Sequence, residues 1–408
     1  MINWPSIRNI AMLCHSRLSR LCTLRSTLAP ARLLLLVTYC FLLPCLSGLA
    51  KAEGKLVIAR NSSDQELFDN SLAGIVLAAS RGVQVLEFNV NMTMDGELIL
   101  LRESILHNAT NVGEVFPVSE QQNRRLYTLD FSLAEIRQLQ RKRVLADGRV
   151  VLSAPVATLR EGITLIQQLE RIFDRNIGMS VEPMEPHFYH KQNRDISAKL
   201  LDILVEAGYP KKDSQQLFIQ SSDTDELQRL DSHLLPAREI EIPLIQLVRQ
   251  RAVTNDTLVE PDNRQAADND WLFTNIGLRL LASYASAIIL PESLVFSEQG
   301  AVLKPRYFSD MRKYGVKLLI SPASDDSDQS LPEGSVSTLL NRYYTEIHAD
   351  GVYTKNYLSA QDHNALLEEQ AQKNAELPAF FSNLNLSIPV PREKPASSKT
   401  SENTLPQD

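Results

Sequence analysis

The chain has few cysteines, and their positions exclude several kinds of site. Only four occur among 408 residues, and all four lie within the first 45 positions. From residue 46 onward the chain therefore has no disulfide, no thiolate nucleophile and no cysteine metal site. Acidic residues are also unevenly spread, because the first 52 residues contain none although they contain six basic ones. This stretch has a composition unlike that of the rest of the chain.

Residues 1–52 have the order of an export signal. Basic residues come first, an apolar run extends from Leu33 to Ala50, and Ala50-Lys51-Ala52 offers small residues for a signal peptidase. This order predicts a signal peptide over 1–52 that is cleaved on export to the periplasm or the cell exterior. A retained membrane anchor is the alternative, because the run is nearly long enough to span a bilayer. Pro44 and Gly48 weaken such a spanning helix.

The net charge of the exported part limits its partners. Removing 1–52 lowers Lys plus Arg from 42 to 36 and leaves Asp plus Glu at 49, so the net charge changes from −7 to −13. An acidic surface argues against binding to nucleic acid or to an anionic membrane. We therefore expect no nucleic-acid partner, and no stable membrane insertion once the signal is removed.

Apolar runs of strand length alternate with amphipathic segments of helix length through most of the chain. The run 217–220 is typical of a buried strand, and 158–174 has the apolar spacing of a helix. About eight such units predict an α/β fold, a (β/α)₈ TIM barrel, over residues 53–365. Residues 366–408 are predicted to hold the end of a helix and a disordered tail. Two stretches, 114–125 and 251–270, are predicted surface insertions.

Three stretches, taken in order, resemble the glycerophosphodiester phosphodiesterases, especially the periplasmic ones. They lie at 55–112, 176–196 and 350–354, and include Leu86-Glu-Phe-Asn89, Met179-Ser-Val-Glu182 and Asp350-Gly-Val-Tyr-Thr354. The resemblance covers about residues 55–360 and implies a phospholipase C-like barrel with its site at the carboxyl ends of the strands. It also implies hydrolysis of glycerophosphodiesters to an alcohol and glycerol 3-phosphate, in lipid and glycerol metabolism. The family uses a divalent cation, two histidines for proton transfer and an arginine on the phosphate.

The residues expected to transfer protons differ from the family pattern. Ala59 stands at the first histidine position, and Arg102-Glu103 replaces a His-Asp pair. Alanine carries no proton and arginine stays protonated at physiological pH, so neither serves as an acid–base catalyst. Arg60 is retained and is expected, with Arg102, to bind phosphate through its planar guanidinium.

The positions expected to ligate the metal are also changed. The resemblance places them at Glu87, Asn89 and Glu182, where Asn89 replaces a carboxylate and is a weaker ligand for Ca²⁺ or Mg²⁺. Met184 stands where the family has a lysine. We hypothesise that Arg102 pairs with Glu87 and Glu182 in place of the metal, so that the site binds Ca²⁺ or Mg²⁺ weakly or binds no cofactor.

Three functions remain open from the sequence. The first is a pseudoenzyme that binds a glycerophosphodiester or another small phosphate ligand with weak or no hydrolysis. The second is an active metal-dependent phosphoric diester hydrolase with a rebuilt site, using Glu87, Glu182 and His107. The third is a scaffold whose protein partner binds an insertion or the tail.

Overall fold

A computed structural model describes residues 54–60, 69–117, 125–144, 150–210, 216–249, 269–326 and 334–383. The predicted signal, most of both predicted insertions and the predicted tail lie outside these residues. Within the described residues no helix combines the length and the apolar composition needed to cross a membrane.

Eight parallel strands pair in a closed ring, in which β1 pairs with both the second and the last strand. The strands are β1 (Leu56–Ala59), β2 (Val85–Met92), β3 (Leu98–Leu100), β4 (Gln140–Val144), β5 (Val150–Pro155), β6 (Gly178–Pro183), β7 (Leu217–Ser221), β8 (Leu244–Leu247), β9 (Ala287–Pro291), β10 (Lys317–Ser321) and β11 (Gly351–Thr354). The ring consists of β1, β2 and β6 to β11, while β4 and β5 form a separate antiparallel pair. The predicted (β/α)₈ barrel is confirmed.

Helices follow most of the ring strands. They are α1 (Leu72–Ser80), α2 (Leu106–Ala109), α3 (Val112–Val115), α4 (Leu133–Ile136), α5 (Leu159–Phe173), α6 (Pro186–Lys191), α7 (Ile196–Glu206), α8 (Thr224–Arg229, continued by the π turn Leu230–Leu234), α9 (Asn275–Tyr284), α10 (Pro305–Lys313), α11 (Ser335–Glu346) and α12 (Tyr357–Asn383). The start of α5 shows why the pattern folds this way, because Thr158 and Glu161 form a reciprocal capping box. The apolar side of α5 is buried at Leu159, Ile163 and Ile166. The predicted domain boundary at 365 falls within α12.

The strand predicted at 97–102 lies outside the ring. It forms β3, which pairs antiparallel with the end of β2 through Asn91 and Ile99. The turn between them contains Gly96 at φ 82°, a left-handed conformation that glycine adopts without strain. A connection this short joins antiparallel strands, since a parallel pair needs a crossover of a dozen residues or more.

Ring closure requires a residue without a side chain at one position. Gly351 pairs with Leu56 across the junction of β11 and β1. A Cβ atom at Gly351 would collide with the Leu56 carbonyl oxygen and backbone. A larger residue here would therefore push β1 and β11 apart.

Side chains alternate between the two faces of each ring strand. One buried apolar cluster fills the barrel interior and is separate from the larger cluster between strands and helices; its members are Ile58, Val85, Ile245, Leu247, Ala287, Ile289, Leu319 and Tyr353. Their strand neighbours Val57, Ala59, Leu86 and Phe88 belong to the larger cluster. A residue two or four positions after an interior residue on the same strand therefore also faces the interior, and it lies nearer the carboxyl end of the barrel.

Candidate functional site

A group of buried polar side chains lies beyond the apolar interior, toward the carboxyl ends of the ring strands. Its five members, named here the lumen cluster, are Glu87, Asn89, Glu182, Gln220 and Tyr353. Glu87 and Asn89 follow the interior residue Val85 by two and four positions on β2, so alternation directs both inward. Both carboxylates are nearly inaccessible, with Glu87 at 1% and Glu182 at 2% exposure.

Glu87 lies at the centre of the lumen cluster. Its Oε1 accepts hydrogen bonds from Asn89 Nδ2 at 3.2 Å and from Gln220 Nε2 at 3.1 Å. The Tyr353 hydroxyl donates a third, and Arg102 Nη2 lies 3.5 Å away as an ion pair. Hydrogen bonds to a carboxylate are strong in a buried setting, so these donors compensate the burial of the Glu87 charge.

Glu182 has a second set of partners. Its Oε2 accepts from Asn89 Nδ2 at 3.2 Å and Gln220 Nε2 at 3.5 Å, and its Oε1 accepts from an Nη of Arg249. Burial raises the pKa of Glu182 and the nearby Glu87 adds to this, while Arg249 opposes it, and the pKa stays above the ordinary value. Asn89 therefore donates to both carboxylates and joins them.

Arg102 forms one of the two ion pairs that we hypothesised from the sequence, the one with Glu87. Burial alone would lower the pKa of Arg102, but the negative charge of Glu87, with Tyr353 and Glu182, raises it above its ordinary value. The guanidinium therefore remains charged beside Glu87. The arginine that hydrogen-bonds Glu182 is Arg249, which lies two residues beyond β8 and was not selected from the sequence.

Arg60 follows the last residue of β1 and is placed over an aromatic ring. Its guanidinium carbon lies 5.7 Å from the ring centroid of Tyr353. Asp325 lies nearby, on the 3₁₀ turn after β10. Burial raises the pKa of Asp325, and the positive charge of Arg60 opposes part of this rise. Asp325 accepts from the Lys355 amide at 2.8 Å and from the Thr354 hydroxyl at 3.1 Å. Sequence analysis did not select Asp325.

The remaining predicted residues lie apart from the lumen cluster. Ala59 is fully buried in the cluster between strands and helices. His107 is half-buried on α2 with its ring beside Gly113, and no hydrogen bond joins it to Glu87 or Arg102 within the described residues.

A second group of charged residues lies at the helices, outside the ring. This group, named here the outer cluster, consists of His190, Asp195, Glu226 and Arg229. Ligand atoms of the histidine and the two acids lie within 4.8 Å of one another, a spacing that a metal ion could use. The Arg229 guanidinium already occupies the group, donating to Asp195 at 2.8 and 2.9 Å, to Glu226 at 2.7 and 3.0 Å and to His190 at 3.2 Å.

Comparison with known proteins identifies the family. The model of the glycerophosphoryl diester phosphodiesterase family matches residues 60–283, more than half of the chain. The chain belongs to this family. Two curated glycerophosphodiester phosphodiesterases resemble it, one from Haemophilus influenzae at 27% identity over 248 residues and one from Treponema pallidum at 29% over 254. The first alignment covers 57% of this chain and 68% of the relative, and the second covers 58% and 70%.

Solved structures named for the glycerophosphodiester phosphodiesterases share the fold. One from Silicibacter pomeroyi has a TM-score of 0.54 and 17% identity, covering 79% of this chain and 97% of that one. Another from Galdieria sulphuraria has a TM-score of 0.51 and 12% identity, covering 78% and 100%. The predicted resemblance to the phosphodiesterase family is confirmed, and so is the barrel.

The donor set of this phosphodiesterase-family site does not fit the divalent cation that the family implies. Ca²⁺ and Mg²⁺ need oxygen lone pairs. Asn89 turns its side-chain NH₂ group toward both carboxylates, because Asn70 binds its side-chain oxygen: Asn70 Nδ2 donates to Asn89 Oδ1 at 3.1 Å. The backbone N–H of Asn89 donates in turn to Asn70 Oδ1 at 3.0 Å. Glu87 and Glu182 meanwhile face N–H and O–H donors. The three expected ligand positions are thus occupied by internal hydrogen bonds.

Proposed function

We propose that this protein binds a glycerophosphodiester, or a related small phosphate ester, at the carboxyl end of the barrel with little or no hydrolysis. One observation supports this above all: Arg102, at a histidine position of the family, is held as a cation on Glu87. A side chain fixed in its protonated form does not transfer protons. Loss of an acid and a base, each contributing about 10²–10⁴-fold, is expected to leave little turnover.

Positive side chains support the binding half of the proposal. Arg60, Arg102 and Arg249 follow three different strands, and the buried carboxylates Asp325, Glu87 and Glu182, respectively, balance part of their charge. Arg102 is 29% exposed and Arg249 is 38% exposed, so both are accessible from the solvent side. Guanidinium groups bind phosphate oxygens through paired N–H donors.

The first experiment measures hydrolysis. Purified protein is incubated with glycerophosphocholine and glycerophosphoethanolamine, in Ca²⁺, in Mg²⁺ and in chelator, and glycerol 3-phosphate is assayed. We expect no release above the buffer rate in any condition. Metal-dependent release that Glu182→Ala abolishes would contradict the proposal and favour an active diesterase with a rebuilt site.

The second experiment measures binding of the same two diesters and of glycerol 3-phosphate by calorimetry. We expect Arg60→Ala to weaken binding about tenfold or more, since a charge-assisted hydrogen bond contributes about 1.5–3 kcal/mol. The matched control is Arg306→Ala on the exposed side of α10, which should bind like the unchanged protein. Absence of binding, with a protein partner captured only when residues 384–408 are present, would favour the scaffold function.

We also propose that the protein is exported and that its signal is cleaved after Ala52. The proposal is supported by the basic segment, the apolar run and the small residues that end it. Amino-terminal sequencing of protein recovered outside the cytoplasm is the test. Recovery of uncleaved chain in the membrane fraction would favour the anchor instead.

A further inference from the structure

We infer that the Arg249 guanidinium and a divalent cation are mutually exclusive partners of Glu182, so that removing Arg249, with Arg102 still on Glu87, turns a site closed to metals into one that binds them. This inference uses the same site as the proposed function but does not depend on any phosphate ligand.

The need for a cation comes from Glu182. Its side chain is 3% exposed, and a buried carboxylate is costly unless a positive charge or several donors compensate it. Asn89 and Gln220 give it neutral donors, at 3.2 and 3.5 Å. Within the described residues, Arg249 is the charged group that hydrogen-bonds it. Arg249 therefore takes the position that a bound cation would take.

Arg249 is also the residue best placed to be removed without collapse. It lies beyond the end of β8, its side chain is 38% exposed, and its ion pair within the described residues is with Glu182. A shorter side chain here opens the cluster to solvent and leaves no gap in the apolar core. The two glutamates would then remain close together, because Asn89 Nδ2 lies 3.2 Å from each.

The third carboxylate ligand that the family pattern implies can be restored by one substitution at Asn89. Asn89→Asp would replace the NH₂ that faces Glu87 and Glu182 with an oxygen. Asn70 Nδ2, which now donates to Asn89 Oδ1 at 3.1 Å, would still orient the new carboxylate. Three carboxylates then converge, an arrangement that hard cations favour.

The test measures binding of Ca²⁺ and Mg²⁺ alone, by calorimetry and by thermal unfolding, in the full protein. Four proteins are compared: the unchanged chain, Arg249→Ala, the double variant Asn89→Asp/Arg249→Ala, and Arg306→Ala as the control. Sodium chloride of matched ionic strength controls for screening. The unchanged chain and the control should show no heat of binding and no metal-specific rise in Tm.

In chelator we expect Arg249→Ala to unfold at a lower temperature than the unchanged chain. Millimolar Ca²⁺ should raise its Tm by about 2–4 °C, and that of the double variant by more, because a ligand that binds the folded state stabilises it. Binding of Ca²⁺ to the unchanged chain as tight as to the variants would overturn the inference. So would two folded variants that bind no metal.

If Arg249→Ala does not fold, Arg249→Gln keeps a neutral donor on Glu182 and is measured in the same way, with the same two overturning results. Failure here is distinguishable from failure of the proposed function. Metal binding by the unchanged chain without hydrolysis overturns only this inference. Hydrolysis that is unaffected by chelator overturns only the proposed function.

Discussion

The lumen cluster, with Arg102 and Arg249 beside it, and the outer cluster both pair arginine with two carboxylates, but they do so differently. In the outer cluster one guanidinium serves both acids, and Arg229 directs four hydrogen bonds at Asp195 and Glu226 between 2.7 and 3.0 Å. In the lumen cluster each acid has its own arginine, and neutral donors provide the other contacts. The outer cluster fixes three helices to one another, whereas the lumen cluster leaves guanidinium groups facing the solvent.

This difference shows why ligand spacing alone is a poor sign of a metal site. Three carboxylate and imidazole groups at ligand spacing are the usual sign of a metal site, and the outer cluster has that spacing. Its single arginine donates to both acids and to His190, which indicates a structural link between α6, α7 and α8. The number of donors already used is therefore a better guide to ligand binding here than residue type.

The largest expected effect is on the outer cluster. Arg229→Met should lower the free energy of unfolding by about 3–5 kcal/mol, because it leaves Glu226, 3% exposed, without its cation. Urea unfolding measures the loss. Lys313→Met is the matched control, since its partner Asp310 is on the surface and such a pair contributes about 0–1 kcal/mol. Equal losses in both variants would show that Arg229 is not a structural link.

An intermediate effect is expected in the lumen cluster, and it concerns affinity. Glu182→Gln removes the negative charge that Arg249 now contacts, so Arg249 can turn fully to a phosphate. Calorimetry should show glycerol 3-phosphate binding about tenfold tighter, a gain of about 1.4 kcal/mol, within the range of a charge-assisted hydrogen bond. The control Glu226→Gln in the outer cluster should leave affinity unchanged. Weaker binding in Glu182→Gln would mean that the carboxylate itself contacts the ligand.

The smallest expected effect is a difference in pH dependence. Burial raises the pKa of Glu182 above 4.5, so its contribution to stability is full below 4.5 and is lost as the pH rises through the raised value. For Asp195, burial is outweighed by Arg229 and the Ala198 amide, which hold the pKa below 3.8. Its contribution is present above 3.8 and is lost as the pH falls through the lowered value.

Thermal unfolding from pH 3 to pH 7 checks both signs. Relative to Glu182→Gln, the unchanged chain should lose stability as the pH rises above 4.5. Relative to Asp195→Asn, it should lose stability as the pH falls below 3.8. The same sign for both residues would contradict the contrast between the two clusters.

The sequence predicted the barrel, and it predicted Glu87 and Glu182 because they lie in motifs with a family likeness. It missed Arg249 as a partner of Glu182, although alternation offers a signal. Leu247 faces the interior, so Arg249, two positions further, is expected to face it too. In the same way, Phe218 packs against the interior cluster, so Gln220, two positions further along β7, is expected to face the interior.

Other parts of the site have no such signal. Asp325 lies on a 3₁₀ turn, where alternation does not apply. Asn70 has φ 54° in the turn before α1, and its pairing with Asn89 depends on how that turn meets β2. The strand β4 was missed because its residues Gln140-Arg-Lys-Arg-Val144 lack an apolar strand pattern, and without it the apolar run of β5 had no partner. These features depend on tertiary contacts that neighbouring residues do not specify.

The alternation of side chains on the ring strands limits how this site can change in evolution. Inserting or deleting one residue in β2 just before Glu87 would move Glu87 and Asn89 to the helix side and bring Phe88 inside, since the facing of every later residue in the strand would be reversed. Substitutions leave the register intact. A barrel of this kind can therefore replace its reactive groups one at a time, and length differences between relatives should fall in the loops and not within β2 or β6.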